Sequence, residues 1–539
     1  MIHILDSIIR NPALLYELVK TKFKDTSILE SLGECNNQTS RYSIIGVRPR
    51  YRLTSRNQEC YLYDYQKEAS KPVASWHEVL SSWVSINCFE SEAIPLQTAA
   101  IGYIGYESCT SFEKAFQVKS LTDNPIYDVC LVKYDILFVL DRLKNKAYWI
   151  SENSDNTIVD QIEEEYIGYT ECENLHFHTL GDIEMDQCAD SYKKGIRKTI
   201  EHICSGDIFQ ANITSRFSAR YIGDPYYLYK ILRNKTPNPF FAFLDFEFPV
   251  ISTSPERFFN IKNNIIRSNP IKGTMPSTID GQDQKSALMT SDKNRAENIM
   301  ITDLVRNDIG RICEQHSVAV ESECEVVKFN NVYHMESVVR GKLKKDVTLS
   351  NVLKSVFPAG SITGAPKIKS MEIINNTEPS KRGPYTGAIG VFGSYGWVDT
   401  CVAIRTLYFD KDRVYFHAGG GITASSDPDD EFQELKVKVK NIAEALDSTN
   451  VLSPCRLKLN ELDEKIFELL NSRFRIVGDI ADIKRKYMIP VLQSQRIEEI
   501  KKRSLKKIPH GALIEPEFVN DYYDLIVNYS MVLEEKDTF

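Results

Sequence analysis

Two glutamates three residues apart, Glu431 and Glu434 in DDEFQELKVK, would share one face of a helix, and Lys438, four residues on, would join them. A second acidic helical segment, NRAEN, brings Glu297. Carboxylates on two helices suit Mg²⁺, which takes few protein oxygens and leaves positions for water or a substrate carboxylate. Taken alone, Glu-x-x-Glu is a weak signal and is usually a solvated helix face. HAGGGITASS sets Gly419, Gly420 and Gly421 after a strand-like run, and glycines let backbone N–H groups approach an anion. GSITGAPK is a second such loop, with Thr363 and Lys367, and it lacks the spacing of a nucleotide phosphate loop. Lys272, between Ile271 and Gly273 in NPIKGTMP, could serve as an amine nucleophile. Glu256 in SPERF stands beside Phe258 and Phe259, where partial burial would raise its pKa and suit a general acid. Each of these residues also has a plain structural reading: a turn, an exposed lysine, an ordinary ion pair.

The elements that must position them alternate along the chain. IIGVRPRYRLTS and VCLVKYDILFVLDRL carry β-branched and aromatic residues at strand spacing, and GYIGYES reads as a glycine-punctuated strand end or turn. A helix pattern runs from about Ser191 to Gly206. PVISTSPERFFNI and DTCVAIRTLYFD read as strands, DKNRAENIMITDLVRNDIGRI and DDEFQELKVKVKNIAEALD as helices. The mixture predicts an α+β fold with large sheets, divided into an N-terminal part over 1–180 and a catalytic region over 181–447. STNVLSPC, residues 448–455, breaks the pattern as a linker, and helical periodicity then dominates 456–539. There, apolar residues at Leu459, Leu462, Ile466, Leu469, Val477, Ile480 and Ile483 predict one amphipathic helix ended by Pro490. Thirty residues at 1.5 Å each give roughly 45 Å, a length that calls for partner helices and makes a dimeric bundle a reasonable expectation. Two further helices are expected near 494–507 and 515–535.

With 539 residues the chain is long enough for two or three domains. A formal net charge of −8 argues against a general nucleic-acid binder, while leaving room for a local basic cluster that holds a small anion. The 12 cysteines form no C-x-x-C pair, so they read as reduced thiols of a cytoplasmic protein rather than a metal site. The start shows no signal-peptide pattern, and no run of 18 apolar residues suggests a membrane span.

Taken in order, SGDIFQANITSRF, SPERF, PIKGT, DLVRNDIGR, GSITGAPK, IRTLYF and AGGGITASSDPDDEFQE resemble the chorismate-utilising enzymes, which include anthranilate, aminodeoxychorismate, isochorismate and salicylate synthases. The resemblance covers nearly the first 445 residues. It implies two large packed antiparallel sheets with outer helices, and a site in the cleft between them. It also implies that Glu297 and Glu434, with Glu431 beside them, ligate Mg²⁺ against the ring carboxylate of chorismate. Tyr385, Arg405, Gly419, Gly420, Gly421 and Lys438 would bind carboxylates, and Arg405 suits a bidentate grip. Glu256 would protonate the departing C4 hydroxyl, and His334 and Thr363 would line the pocket. Gln210 stands where water-using members carry a lysine base. Lys272, in a loop that anthranilate synthases usually write P-I-A-G-T, is similar to the nucleophilic lysine of aminodeoxychorismate synthases. The implied product is 4-amino-4-deoxychorismate, with ammonia supplied by a separate glutamine amidotransferase subunit, since no glutaminase motif is present. Anthranilate synthase component I is the alternative. ILES at 28–31, followed by SRYSIIG, resembles the tryptophan-binding element of anthranilate synthases and reads as a regulatory or purely structural pocket.

Residues 455 to about 535 resemble the all-helical chorismate mutases, through LNELDEKIFELLNSRFRIVGDIADIKRKYMIPV. The resemblance implies a substrate held by Arg456, Arg473, Lys484, Arg496 and Glu534, in a reaction that needs charge stabilisation and no nucleophile. Arg473 and Lys484, 11 residues apart, share a helix face; Arg456 lies off it by roughly 100°. The family's dimer, in which the first arginine reaches the partner's site, agrees with that offset. Ile497, Gln493 and Glu534 depart from the enteric-type pattern of Glu, Asp and Gln. The mutase substrate is therefore chorismate or 4-amino-4-deoxychorismate, or the domain serves only dimerisation or regulation.

Overall fold

The computed structural model describes residues 2–5, 11–33, 41–86, 96, 98–113, 116, 126–151, 157–171, 176–279, 282–329, 332–490, 494–508 and 513–535. Gln493, and Ser40 of SRYSIIG, lie outside them. The chain divides into two compact units, Met1–Val451 and Leu452–Phe539.

In the first unit the strands pair antiparallel throughout, and strands from distant parts of the chain interleave. Thr26–Glu30 pairs with Phe240–Asp245, and Ala99–Ile104 with Ala388–Gly393. The two sheets expected from the resemblance are joined in one continuous network of 22 strands. Long bent strands make the join. Tyr42–Arg56 pairs along its length with Val129–Asp141, with register shifts around Arg48 and Pro49. On its other edge it takes Thr26–Glu30 before that bend and Glu59–Asp64 after it. An extra residue in one strand breaks the ladder and turns the strand, so a single strand serves two layers.

Packing follows those layers. One buried cluster, including Ile101, Tyr134, Ile389 and Tyr408, is built from strands and their connecting loops, and fills the space between the layers. A second packs Ile196, Leu232, Leu435 and Ile442 of helices Ala189–Cys204, Pro225–Lys235 and Pro428–Asp447 on one sheet face. A third packs Leu80, Ile309, Leu353 and Met371 of other helices against strand residues such as Phe258 and Val398. Helix Pro428–Asp447 starts where Asp427 accepts from the N–H groups of Asp429 and Asp430 and Pro428 fills the first turn.

Two segments read as single strands are each broken in two. PVISTSPERFFNI forms Val250–Ser254 and Arg257–Lys262, with Glu256 in the join. DTCVAIRTLYFD forms Val398–Val402 and Thr406–Asp410, because Arg405 takes φ 50°, a conformation no strand residue adopts.

The second unit is three helices, Ser453–Tyr487, Ser494–Leu505 and Pro516–Glu535. The long helix stops at Tyr487, three residues before Pro490, where Met488 turns left-handed.

Candidate active site

Glu256 is 4% exposed in the join between its two strands, where its N–H donates to Ser254 Oγ at 3.2 Å and its carbonyl accepts from Val402. Burial pushes its carboxyl up to about 7, against the opposing pull of the neighbouring Ser361 side chain and the Lys272 ammonium. Such a group carries its proton near neutral pH and can give it away.

Lys272 lies on the strand Ile271–Pro276, at a register shift against Val332–Lys342. Gly273 makes the shift possible: its φ is 75°, and an added Cβ would meet Asn294 Cγ at 2.9 Å. Lys272 Nζ donates to the carbonyl of Ser361 at 3.0 Å. Burial lowers its pKa, with Glu297 and Glu256 opposing, so the free amine is more accessible than in an exposed lysine.

Gln210 begins the strand Gln210–Gly223 and is buried. It meets Lys272 at Gly421, where an added Cβ would lie 2.1 Å from Gln210 Nε2 and 3.6 Å from Lys272 Nζ. The glycines differ in what they do. Gly420 is surrounded by carboxylates and a cation: its added Cβ would lie 2.9 Å from Glu431 Oε2, 3.7 Å from Lys438 Nζ and 3.9 Å from Glu434 Oε1. Gly419 is demanded by the sheet, since its Cβ would stand 2.1 Å from the carbonyl of Ile213.

Arg405 has no carboxylate partner among the described residues, and burial lowers its pKa. A desolvated, unpaired guanidinium is costly unless an anion arrives to meet it. His334 is close enough to feel its charge; burial first, then Arg405, pushes the imidazole down to about 3, so it stays neutral. His334 Nδ1 shares a 2.9 Å hydrogen bond with Thr274 of the lysine strand. Tyr385 stacks on His417 at 5.0 Å. Thr363 is fully buried and its hydroxyl donates to the carbonyl of Ala359, so it braces its own loop.

Glu297, on helix Asp292–Gly310, and Glu434 both act on the Lys272 ammonium. Among the described residues no three carboxylates already form a closed cation cage. Glu434 sits 2.6 Å from Lys438, which also donates to the carbonyl of Gly419. Glu431 is raised by burial and by the charge of Glu434, against a bond from Ser426. The donors are all hard oxygens and too few to saturate a cation, which fits a metal completed by water and substrate rather than by protein alone.

Two groups escaped the sequence reading. Ser361 holds Lys272 through its backbone carbonyl, and any residue type supplies a carbonyl. Arg382, three residues before Tyr385, is fully buried and grips Glu378 at 2.6 Å, the carbonyl of Asn212 at 2.7 Å and that of Ile362 at 3.0 Å. Glu378 in turn accepts from Thr214. The pair thus ties the glutamine strand to the GSITGAPK loop; only the unusual charge density of EPSKRGPY hinted at it.

ILES borders a cavity. Leu29, Glu30 and Ser31 line this cavity of about 290 Å³ with Arg257 and Asp399, which pair at 2.9 Å.

In the second unit Lys484 and Glu534 meet at 2.8 Å, and Arg473 reaches Ser530 at 2.8 Å, one helical turn before Glu534. Arg496 is exposed with Glu499, and Arg456 is exposed in the first turn of the long helix.

These geometries meet a match to the model described as chorismate binding enzyme over residues 31–444. The chain belongs to this family. Residues 455–535 match chorismate mutase type II. Aminodeoxychorismate synthase component 1 of Escherichia coli (strain K12) is 34% identical over 422 residues, 77% of this chain and 92% of that protein. Anthranilate synthase component 1 of Saccharolobus solfataricus is 32% identical over 444 residues, 81% and 97%. The crystal structure of anthranilate synthase component I from Streptococcus pneumoniae TIGR4 superposes with a TM-score of 0.67 at 29% identity, covering 81% of this chain and 99% of that one. The protein is a chorismate-utilising enzyme of the aminodeoxychorismate and anthranilate synthase component I kind, carrying a chorismate mutase domain.

Proposed function

We propose that the first unit aminates chorismate to 4-amino-4-deoxychorismate with Lys272 as nucleophile. The observation that carries this reading is the pairing of a partly buried lysine, its pKa lowered by desolvation, with a buried carboxyl raised to about 7, both beside Ser361. The amine attacks C2 of the ring as Glu256 gives its proton to the C4 hydroxyl, which leaves as water. Ammonia then adds at C4 and expels the lysine, and the enolpyruvyl group stays. Arg405 answers a carboxylate of the substrate, and Gln210 lines the approach without offering a base to water. Glu297 and Glu434, with Glu431 beside them, would hold Mg²⁺, which screens the ring carboxylate when bound. Lys438 would exchange Glu434 for that carboxylate. A glutamine amidotransferase subunit would supply the ammonia.

Likeness to anthranilate synthases favours the second reading, anthranilate formation. The two differ in covalent chemistry. Digestion and mass analysis after incubation with chorismate and Mg²⁺, without ammonia, should find chorismate less water attached to Lys272. An unmodified Lys272 peptide, from enzyme that turns over once ammonium is added, favours anthranilate formation.

The second unit would act as a mutase on chorismate or on the amination product. A second copy of the chain would complete its fold. Only Val477, Ala481, Val519 and Ile526 are buried apolar residues among its described residues, while Phe467 is 72% and Leu469 71% exposed. So thin a core does not hold three helices alone. Exposed Arg456, at the start of the long helix, is placed to serve the second copy's site.

A further inference from the structure

We propose that Asn298 is a positioning residue for the metal: with Ser337 and Cys324 it locks the rotation of the helix that carries Glu297 against the strands that carry Lys272 and His334. This inference rests on the reading of Glu297 as a Mg²⁺ ligand of the amination site. Asn298 follows Glu297 on helix Asp292–Gly310 and is fully buried. Its Nδ2 donates to the carbonyl of Met335 at 3.1 Å. Its Oδ1 accepts from Ser337 Oγ and, at 3.6 Å, from Cys324 Sγ. Ser337 Oγ in turn accepts from the N–H of Cys324 at 2.9 Å.

The sheet is built to receive this amide. Met335 lies opposite Lys272 on one side and Val326 on the other. The strand Ala319–Phe329 shifts register between Ser322 and Glu325, opposite Ser337, and Cys324 inside the shift takes φ 54°. A bulge leaves ladder groups without strand partners, and a left-handed cysteine persists only where its surroundings hold it. The Asn298 cluster answers both needs: it takes up the Met335 carbonyl and, through Ser337, the Cys324 N–H. The packing around it is apolar, with Leu288, Tyr333 and Met335. Another apolar side chain would fill the same space, yet it would let the helix turn or slide, which directional bonds in a dry interior do not. Glu297 and Asn298 stand about 100° apart around the helix axis, so a fixed Asn298 sets the bearing of Glu297. About one turn earlier Asn294 stands against Gly273, where an added Cβ would meet Asn294 Cγ at 2.9 Å. The Glu297 carboxylate is thus held in register with the lysine strand by contacts before and after it.

Calorimetry of Mg²⁺ binding to the full-length chain, without substrate, tests the role. Asn298→Leu keeps the volume and removes the bonds. The Kd for Mg²⁺ should rise about tenfold or more, the size of effect that follows loss of an outer partner of a metal ligand. Ser337→Ala, the milder change should Asn298→Leu fail to fold, should act in the same direction. The double variant should add little to Asn298→Leu, because both residues belong to one network. Val139→Ala opens a cavity in the core between the layers, so it should lower the melting temperature and leave the Mg²⁺ affinity unchanged. An unchanged Kd in the folded variant, or an equal loss of affinity in Val139→Ala, overturns the positioning role. So does a wild-type chain that binds no Mg²⁺. Absence of the Lys272 adduct from a wild-type chain whose Mg²⁺ affinity still depends on Asn298 overturns the amination reading alone, so the two failures are distinct.

Discussion

At the scale of single residues, burial sets the chemistry. Glu256 holds its proton to about pH 7. The rate limb that depends on the acid should therefore be flat below that value and fall as pH rises through it, and Glu256→Gln should abolish the limb together with most of the activity. Stability carries the same sign: the native carboxyl keeps a proton that the unfolded chain has lost, so stability drops as pH climbs from the ordinary carboxylate range to about 7. The Glu256→Gln variant should lose that drop, which thermal melts across the window will read. Arg405 gives a second prediction. An unpaired, desolvated guanidinium destabilises the empty enzyme. Arg405→Met should raise the melting temperature while chorismate binding weakens by about 2–5 kcal/mol, readable by calorimetry. A fall in both would mean that the guanidinium has a structural partner.

At the scale of elements, the three glycines separate positioning from folding. Gly421→Ala puts a methyl group against the end of the flexible Gln210 side chain, so it should fold normally and lose amination. Gly419→Ala drives a methyl group into the carbonyl of Ile213 and should lower stability by about 1–3 kcal/mol in denaturant melts. How much was legible follows the same division. Glu256, Lys272 and the helix carboxylates could be singled out as candidates from their chemical type and local spacing, and Gln210 only through the resemblance. Thr363 was legible only as a pocket residue, yet its hydroxyl is turned to Ala359, whereas the neighbouring Ser361 holds Lys272 through a carbonyl that carries no sequence signal. The helices Ala189–Cys204, Asp292–Gly310, Pro428–Asp447 and those of the second unit could be read from their pattern, whereas shorter ones such as Pro12–Lys22 and Pro225–Lys235 were not singled out. The continuous sheet could not, because pairings such as Ile28 with Phe243 join residues more than 200 positions apart, and no local pattern encodes them. The break at Arg405 was hidden for a related reason: a left-handed arginine between strands is tolerated only because its surroundings hold it.

For the whole molecule, the two units should fail independently. The long helix shows the spacing of an amphipathic helix, yet most of its apolar stripe is exposed in one copy. Leu469→Glu should turn a dimer into a monomer by sedimentation and abolish mutase turnover, with amination retained. A monomeric wild-type chain with full mutase activity would refute the second copy's part. The central claim is the lysine-assisted amination. Mass analysis of the products that the full-length chain forms from chorismate, Mg²⁺ and ammonium, run beside Lys272→Ala, tests it directly. The account predicts an amino-substituted product that keeps the enolpyruvyl mass, alone or as its prephenate-type isomer, and that fades in the variant. Anthranilate and pyruvate, formed equally by both proteins, would contradict it.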